Sequence, residues 1–304
     1  MIYTVTLNPA VDLELTVDQF QFDSVSRALS SQMDCGGKGF NVSRMLANLD
    51  TPSTTLGFVG GKSGERLEQM LHDLGIETDF NWIDGETRTN VSIVRSESSQ
   101  HLKVNEQGPT LSADEVDALI SKIGDYAKPG DWWVLAGSLP PGVPTTIYAT
   151  LISIIKEAGA SVLLDTSGDA LGAGCEAGPT IVKPNMEEAR ELTTSVCREG
   201  ASDREVAEAL LSMGPENLVI SMGKEGAMLA TATGLEMART PTVTERNPIG
   251  AGDSMVGGII WGQSQDLSLS ESVKCGIACG AATASQSGTA LGTHEMVLDL
   301  MAQI

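Results

Sequence analysis

The stretch WWVLAGSLPPGVPTTIYATLISIIKEAGASVLLDTS, residues 132–167, carries the clearest indication of how this chain folds. It opens with an apolar run that ends in small and polar residues. A segment of helical periodicity near 144–158 follows, and a second apolar run begins at 161. Two β-rich runs joined by a helix of this length are typical of parallel strands buried on both faces, so the stretch predicts a β-α-β unit.

The same alternation continues on both sides of this unit. MIYTVTLN starts the chain, PTIVKPN (179–185) leads into the helix-like MEEARELT, and NLVISMG (217–223) comes later. We therefore predict an α/β fold with a Rossmann-like, mostly parallel sheet and helices on both faces. Ligands bind at the carboxyl ends of strands in such sheets. The loops there read AGSLPPG, DTSGDA, KPNMEE and SMGKEG, so we expect the functional site along that edge.

The N-terminal third has a different pattern. VDLELTVDQF, SRALSSQMD and TRTNVSIVRSESSQHLKVNE alternate with period 2 and have no helices between them. They predict a small, mostly antiparallel sheet with one solvated face, made of insertions near 11–35 and 82–105 around a helix at 39–49. The alternative is extra strands on the main sheet. We predict one domain over residues 1–304 in which the small sheet is a lid or a dimer surface.

Composition excludes several classes of protein. The 304 residues include 40 acidic and 19 basic side chains, and the net charge of −21 argues against nucleic acid or a membrane surface as a partner. No run reaches the roughly 18 apolar residues of a membrane span, and the N-terminus resembles a strand rather than a signal peptide, so we expect a cytoplasmic protein. Five cysteines without a C-x-x-C pair argue against disulfides and against a zinc site.

The stretch GGKGFNVS, residues 36–43, is a candidate ligand loop. Its glycines let the backbone approach a ligand and open a helix whose first N–H groups are unpaired. Lys38 adds a positive charge, and Asn41 can donate to and accept from sugar hydroxyls. An ordinary glycine-rich helix start is the alternative.

Two nucleotide-binding glycine motifs are absent from the sequence. VGGKSGE (59–65) lacks the first glycine of a nucleotide-binding P-loop, because Leu56 stands there, so we predict a turn that closes against a ligand. A dinucleotide-dependent dehydrogenase needs a glycine fingerprint after the first strand, where TLNPAVD stands instead.

The stretch NPIGAGDSM, residues 247–255, delivers a carboxylate to the first turn of a helix. Gly250, Ala251 and Gly252 present successive N–H groups, which form a hole for an oxyanion. Asp253 has two interpretations. It either caps the helix or acts as the general base that accepts a hydroxyl proton during phosphoryl transfer.

GGKGFNVS and GAGDSMVGG together resemble the two signature stretches of the PfkB (ribokinase-like) carbohydrate kinases. The likeness extends from TLNPAVD to ASQSGTALGT. TLNPAVD, GETRTNV, AGSLPPG and VKPNMEE are similar to the sugar-phosphate branch, which contains 1-phosphofructokinases, tagatose-6-phosphate kinases and minor 6-phosphofructokinases. Asn247 and Pro248 stand where ribokinases and adenosine kinases usually carry Asp-Thr, which argues against a free sugar or a nucleoside as substrate.

The resemblance implies roles for individual residues. Asp253 would be the catalytic base, and Gly250, Ala251 and Gly252 the anion hole. The sugar hydroxyls would be held by Asp12, Gly37 and Asn41. An arginine fork suits the substrate's phosphate, and the candidates for this contact are Arg88 with Arg27, Lys38 and Ser138. A solvated strand residue is the alternative for Arg88, and an unrelated surface position for Arg27.

The resemblance also implies a nucleotide half. Its residues would be Lys183, Asn185, Glu188, Ser221, Gly223 and Gly226. Asn185 and Glu188 match an N-x-x-E motif that acts on Mg²⁺ through Mg-ATP, and a plain first-turn helix acid is the alternative for Glu188. The implied cofactors are ATP and Mg²⁺, with K⁺ as a further candidate near the second signature.

The expected activity is ATP-dependent phosphorylation of a ketohexose phosphate, with fructose 1-phosphate as the leading substrate. Tagatose 6-phosphate and fructose 6-phosphate are alternatives with the same mechanism. A catalytically silent sugar-phosphate sensor is the alternative of another class, and the presence of Asp253, Asn185 and Glu188 argues against it. The resemblance further suggests a homodimer formed through the lid.

Overall fold

The structure is a computed structural model that describes residues 1–19, 23–96 and 100–304. Its strands are β1 (Ile2–Thr6), β2 (Ala10–Val17), β3 (Ala28–Gly36), β4 (Thr54–Val59), β5 (Glu77–Thr78), β6 (Asn81–Trp82), β7 (Arg88–Arg95), β8 (His101–Asn105), β9 (Trp132–Ala136), β10 (Ser161–Asp165), β11 (Ile181–Val182), β12 (Asn217–Ser221), β13 (Ala227–Thr231) and β14 (Gly234–Ala238). Its α-helices are α1 (Lys38–Asn48), α2 (Gly61–Asp73), α3 (Ala113–Tyr126), α4 (Ile147–Glu157), α5 (Gly168–Glu176), α6 (Met186–Leu192), α7 (Asp203–Leu211), α8 (Ala251–Ser264), α9 (Leu269–Ala284) and α10 (His294–Met301).

The predicted β-α-β unit is β9-α4-β10. β9 and β10 pair in parallel, with Trp133 opposite Val162. Across the described residues the main sheet has the order β14-β13-β12-β11-β10-β9-β1-β4-β5, and β6 also pairs with β4. Its strands are parallel except at the edge formed by β12, β13 and β14, which pair antiparallel. The predicted fold class is confirmed.

Both faces of the main sheet are covered by helices. In β9, Trp133 and Leu135 belong to a core that also contains residues of α3, α4 and α7. Their neighbours Val134 and Ala136 belong to a second core, with residues of α1, α8 and α9. Consecutive side chains of a strand point to opposite faces, so a strand buried on both sides needs the continuous apolar run seen in the sequence.

The small sheet has the order β3-β2-β7-β8. β2 pairs antiparallel with β3 and parallel with β7, and β7 pairs antiparallel with β8. The four strands form a separate sheet rather than additional strands of the main one. Trp82 belongs to β6 and therefore to the main sheet, so the second insertion joins the small sheet from Arg88 onward. The predicted insertions also include residues 20–22 and 97–99, which lie outside the described residues.

Helices α8 and α9 pack so closely that the backbone of each helix contacts that of the other. A Cβ added at Gly258 would lie 2.7 Å from both the carbonyl oxygen of Cys275 and the Sγ of Cys279. From the other helix, a Cβ at Gly276 would lie 2.6 Å from the carbonyl oxygen of Met255. Cys275 and Cys279 are buried. This packing fixes the position of α8, whose first turn carries Asp253.

No helix in the described part of the chain combines the length and the apolar character that crossing a bilayer requires.

We expect Gly258→Ala to lower the free energy of unfolding by about 1–3 kcal/mol, because the added methyl group would collide with the backbone of α9. Gly124→Ala is the matched control. Gly124 is also helical, and the nearest atom to its added Cβ is a side-chain methyl carbon at an ordinary 3.7 Å. That substitution should stabilise the protein by up to about 1 kcal/mol, since alanine favours helix. Urea unfolding measures both, and equal effects would contradict the packing argument.

Candidate active site

The first turn of α8 presents backbone donors beside Asp253. Gly250 is the N-cap and adopts φ 78° and ψ −6°, a left-handed conformation that favours glycine. The N–H of Ser254 donates to the Gly250 carbonyl at 2.8 Å. Of the three donors predicted for the hole, the N–H of Ala251 donates to the Pro248 carbonyl at 3.2 Å. Within the described residues, the N–H groups of Gly252 and Asp253 have no backbone acceptor. These free donors at a helix N-terminus form the geometry of an anion hole.

In the described part of the chain, the carboxylate of Asp253 accepts no hydrogen bond from the backbone at the start of α8, where Gly250 is the N-cap. The hydrogen bond that a helix cap would make is therefore absent there. Instead, Asn41 Nδ2 donates to Asp253 Oδ2 at 2.8 Å. Burial and the negative charge of Asp165 raise the pKa of Asp253 to about 6, against the opposing effects of Asn41, Lys38 and Lys183. The group is therefore ionised at neutral pH, close to the value that suits a general base.

Asp165 is a site residue that the sequence interpretation missed. It ends β10, is completely buried, and accepts from Lys38 Nζ at 3.0 Å, while Lys183 Nζ lies 3.4 Å from its other oxygen. Burial alone would raise the pKa of Asp165, but the two lysines lower it below its usual value. An acid directly after the apolar run SVLL, at the ligand edge of the sheet, was the available signal.

Lys38 and Lys183 bring two ammonium groups to the site, one at each oxygen of Asp165. The pKa of Lys38 is raised because Asp165 and Asp253 outweigh the effect of its burial. Lys183 lies next to the anion hole, since a Cβ added at Gly252 would be 3.9 Å from its Nζ. Lys38, which is predicted to contact the substrate's phosphate, forms an ion pair with Asp165, and its charge also interacts with that of Asp253.

A cavity of about 460 Å³ lies beside the anion hole. The small residues of α9 form one wall, and Thr240, Val243 and Glu245 line another part. An ion pair between Lys224 and Glu245, at 3.5 Å, also borders it. The structure brings together here six of the residues predicted for the nucleotide and the anion hole, namely Asn185, Ser221, Gly223, Gly226, Ala251 and Gly252.

Asn185 and Glu188 form a capping box at the start of α6. Asn185 Oδ1 accepts from the Glu188 N–H, and Glu188 Oε2 accepts from the Asn185 N–H, both at 2.8 Å. Glu188 therefore acts as a first-turn helix acid, the alternative that the sequence analysis gave for it. Glu188 also raises the pKa of Lys38, behind the larger effects of Asp165 and Asp253, so its charge acts on the site. In the described residues no group of three His, Cys, Asp or Glu side chains could hold a metal alone. A single carboxylate fits a magnesium ion that is bound mainly by phosphates.

The predicted sugar residues line the lid side of the site. Asn90 Nδ2 donates to Asp12 Oδ1 at 2.8 Å, and burial raises the pKa of Asp12. The Asp12 carboxylate lies against Gly36, where an added Cβ would be 2.5 Å away. Gly37 is the N-cap of α1 at φ 139°, a conformation that favours glycine. Ser138 is exposed directly after β9, at the same edge of the main sheet.

Arg88 is not a solvated strand residue. Its Nε, Nη1 and Nη2 donate to the carbonyl oxygens of Pro9 (3.3 Å), Glu106 (2.9 Å) and Asn8 (2.8 Å). The guanidinium therefore fixes the turn between β1 and β2 to the segment after β8. Burial lowers its pKa, with Asp12 and Glu106 opposing. Contact with a substrate phosphate stays a prediction, and the two N–H donors that these bonds leave unused, one on Nη1 and one on Nη2, are the groups that would make it.

One prediction needs correction. Arg27 is exposed beside Ala28, which pairs with Val17 at the far end of β2, whereas Asp12 pairs with Asp34. Five residues of strand separate Val17 from Asp12, roughly 17 Å, so a single copy of the chain does not bring Arg27 to Asp12. In the turn at 59–65 the Ser63 N–H donates to Glu86 Oε1 at 2.6 Å, and contact of this turn with a ligand stays a prediction.

Comparison with known proteins gives consistent results. A model described as the pfkB family of carbohydrate kinases matches residues 5–296. A 1-phosphofructokinase from Bacillus subtilis is 36% identical over 304 residues, covering 100% of this chain and 98% of the relative. A tagatose-6-phosphate kinase from Staphylococcus epidermidis is 32% identical, with coverages of 95% and 94%. The structure of phosphofructokinase-2 from Escherichia coli in complex with potassium has a TM-score of 0.93 and 31% identity, covering 99% of this chain and 98% of that one.

The two buried aspartates should have opposite effects on stability. Because the pKa of Asp253 is raised from 3.8 to about 6, its ionised form destabilises the folded chain in full above pH 6. The effect diminishes as the pH falls from 6 towards 3.8, below which the group is protonated in both states. Asp253→Asn should therefore raise the free energy of unfolding near neutral pH by up to about 3 kcal/mol, and by less near pH 5. Asp165→Asn should lower it by about 3–5 kcal/mol, since the buried Lys183 and the partly exposed Lys38 lose their partner.

Urea unfolding of both variants at the two pH values measures these effects. An Asp253→Asn protein less stable than wild type at both pH values would contradict the electrostatic description of the site.

Proposed function

The chain belongs to the pfkB family of carbohydrate kinases, and on that premise we propose that it transfers the γ-phosphoryl group of ATP to the free primary hydroxyl of fructose 1-phosphate. The product is fructose 1,6-bisphosphate. The observation that carries the proposal is the position of Asp253. Its buried carboxylate lies on the first turn of α8, beside the anion hole, and accepts a hydrogen bond from Asn41 of α1. The anion hole borders a cavity of about 460 Å³.

ATP occupies that cavity with its triphosphate directed at the start of α8. The free N–H groups of Gly252 and Asp253 and the ammonium group of Lys183 then surround the phosphoryl group in transfer. Phosphoryl transfer depends mainly on such positioning and charge neutralisation. Asn185 and Glu188 are the residues that would hold the magnesium ion of the nucleotide, and that ion would supply neutralisation of phosphate charge. The potassium in the Escherichia coli structure supports a monovalent cation near 247–250 as a further proposal.

Asp253 takes the proton of the attacking hydroxyl. Its Oδ2 is bonded to Asn41, while Oδ1 has no hydrogen-bond partner in the described part of the chain and is available to the substrate. Asp12 and Gly37 hold the sugar hydroxyls together with the second amide hydrogen of Asn41. Arg88 and Ser138 are the proposed contacts of the phosphate already on the sugar. Water is excluded by the small sheet, which limits hydrolysis of ATP.

The choice of fructose 1-phosphate is supported by the relatives named 1-phosphofructokinase, which are 33–36% identical to this chain. Tagatose 6-phosphate is the second candidate, supported by the kinase from Staphylococcus epidermidis. Fructose 6-phosphate, the substrate in another solved complex of the Escherichia coli enzyme, is the third. All three leave the roles of the site residues unchanged.

We also propose a homodimer through the outer face of the small sheet. Direct pairing places Met33, Leu13, Val91 and Val104 in one apolar row across all four strands. Met33 and Val104 are exposed, and Leu102 is exposed on the same strand as Val104. A second copy of the chain would cover this row, while Asp12 and Asn90 face the opposite side.

A charge on the apolar row should separate the subunits. Leu102→Glu is expected to give the monomer mass in sedimentation equilibrium at concentrations where wild type gives the dimer. Leu74→Glu is the control, because Leu74 lies directly after α2, outside the small sheet, with the same exposed fraction, 50%. A wild-type chain that sediments as a monomer would contradict the proposed dimer.

The substrate is tested by coupled ADP release with Mg-ATP and each of the three sugar phosphates. We expect kcat/KM for fructose 1-phosphate to exceed the others by about tenfold or more, the discrimination that one well-placed polar contact provides. Asp253→Asn should lower the rate roughly 10²- to 10⁴-fold while the protein stays folded. A higher kcat/KM for one of the two 6-phosphates would show that this sugar phosphate, and not fructose 1-phosphate, is the substrate. Tight binding of a sugar phosphate without turnover would support the sensor instead.

A further inference from the structure

The amide of Asn41 has a fixed orientation, and Arg44 sets it. Arg44 Nη1 donates to Asn41 Oδ1 at 3.1 Å, and Asn41 Nδ2 donates to Asp253 Oδ2 at 2.8 Å. A guanidinium is only a donor, and an ionised carboxylate only an acceptor. A flipped amide would therefore place two donors together and an oxygen against the carboxylate. The two residues are three positions apart on α1, so one face of the helix holds both.

Arg44 is itself held from two other parts of the chain. Its side chain is 14% exposed, and its Nη2 lies 3.9 Å from Asp34 Oδ1. The same nitrogen is 3.4 Å from the carbonyl oxygen of Thr289, to which it donates. The hydroxyl of Thr289 in turn donates to Asp34. Asp34 belongs to β3 of the small sheet and Thr289 to the segment after α9, so Arg44 connects both to the helix that carries Asn41.

We propose that Arg44 is a positioning residue for phosphoryl transfer, which acts by fixing the amide of Asn41 so that this amide donates to Asp253. The proposal rests on the proposed function, in which Asp253 is the base. Arg44 has no hydrogen bond to Asp253 and acts on it only through Asn41. Its attachment to Asp34 makes the alignment of the base depend on a residue of the small sheet.

The charges around Asp253 give this amide a defined effect. The carboxylate is faced by Asp165 from the end of β10, by Lys38 and Asn41 from α1, and by Lys183 from the segment after β11. Burial and Asp165 raise the pKa of Asp253, and the Asn41 hydrogen bond is the largest of the opposing contributions. An amide that is free to rotate loses that contribution for part of the time. The pKa then rises further, and the fraction of ionised base at a given pH falls.

The test compares Arg44→Met and Arg44→Lys with wild type in full-length protein, using Mg-ATP and the sugar phosphate that turns over best. Arg44→Met keeps most of the stem and removes the donors. Its kcat should fall roughly 10- to 100-fold with KM for Mg-ATP nearly unchanged, the loss expected from a misaligned catalytic group. In wild type, kcat should decline towards acid pH as Asp253 becomes protonated, and in Arg44→Met that decline should begin at higher pH.

Arg44→Lys should give a kcat and an acid decline between those of wild type and Arg44→Met, because a lysine retains one donor but cannot form all three contacts. It therefore tests the proposal even where Arg44→Met does not fold. Arg190→Met is the matched control. Arg190 likewise donates to a backbone carbonyl, that of Ala201, and pairs with a carboxylate, that of Asp203. Its loss should leave the acid decline of kcat unchanged.

The route through Asn41 is tested by a double variant. In an Asn41→Ala background, Arg44→Met should lower kcat little further, because the amide through which it acts is gone. Losses of rate that simply add would overturn the proposal, as would an unchanged acid decline in both Arg44 variants. If Asp253→Asn loses its rate while the Arg44 variants match wild type, only the positioning role is wrong. If Asp253→Asn retains nearly the wild-type rate, the proposed function itself is wrong.

Discussion

Two carboxylates and two ammonium groups meet at one edge of the main sheet, and the rest of the site depends on their balance. Asp165, Asp253 and Lys183 are buried, while the Lys38 side chain is 37% exposed. Asp165 holds Lys38 and Lys183 at its two oxygens, and the lysines in turn allow Asp253 to be ionised at neutral pH. Neither aspartate could be buried as a charge without partners. The fold supplies this arrangement by bringing the ends of β10 and β11 to the starts of α1 and α8. The path of the backbone thus brings two acidic and two basic side chains together.

Much of the fold could be predicted because its signals are local. The apolar runs of β9 and β10 and the period-2 pattern of β2 and β7 are properties of neighbouring residues, and they survive in the structure. The capping box of Asn185 and Glu188 is also readable from an N-x-x-E spacing. The anion hole follows from GAG before a helix. In each case the physical cause lies within a few residues.

The remaining features depend on contacts between distant segments. Asp165 and Lys38 are 127 positions apart, so no local pattern could pair them. Arg27 was assigned to the site through the family resemblance, as a contact of the substrate's phosphate, but the register of β2 with β3 places it at the opposite end. The three carbonyl partners of Arg88 and the orientation of the Asn41 amide likewise come from the tertiary arrangement. Side-chain types suggested the candidates, and only the register and the packing could decide among them.

The contact between α8 and α9 has a consequence for how the site closes. Glycines on both helices bring the two backbones together with no room for a methyl group, so α8 cannot slide or tilt without moving α9 as well. Asp253 and the anion hole therefore form a stationary frame of reference on the helices that cover the main sheet. The closure that we propose around the substrate then falls to the small sheet, which would carry the sugar to a base that does not move.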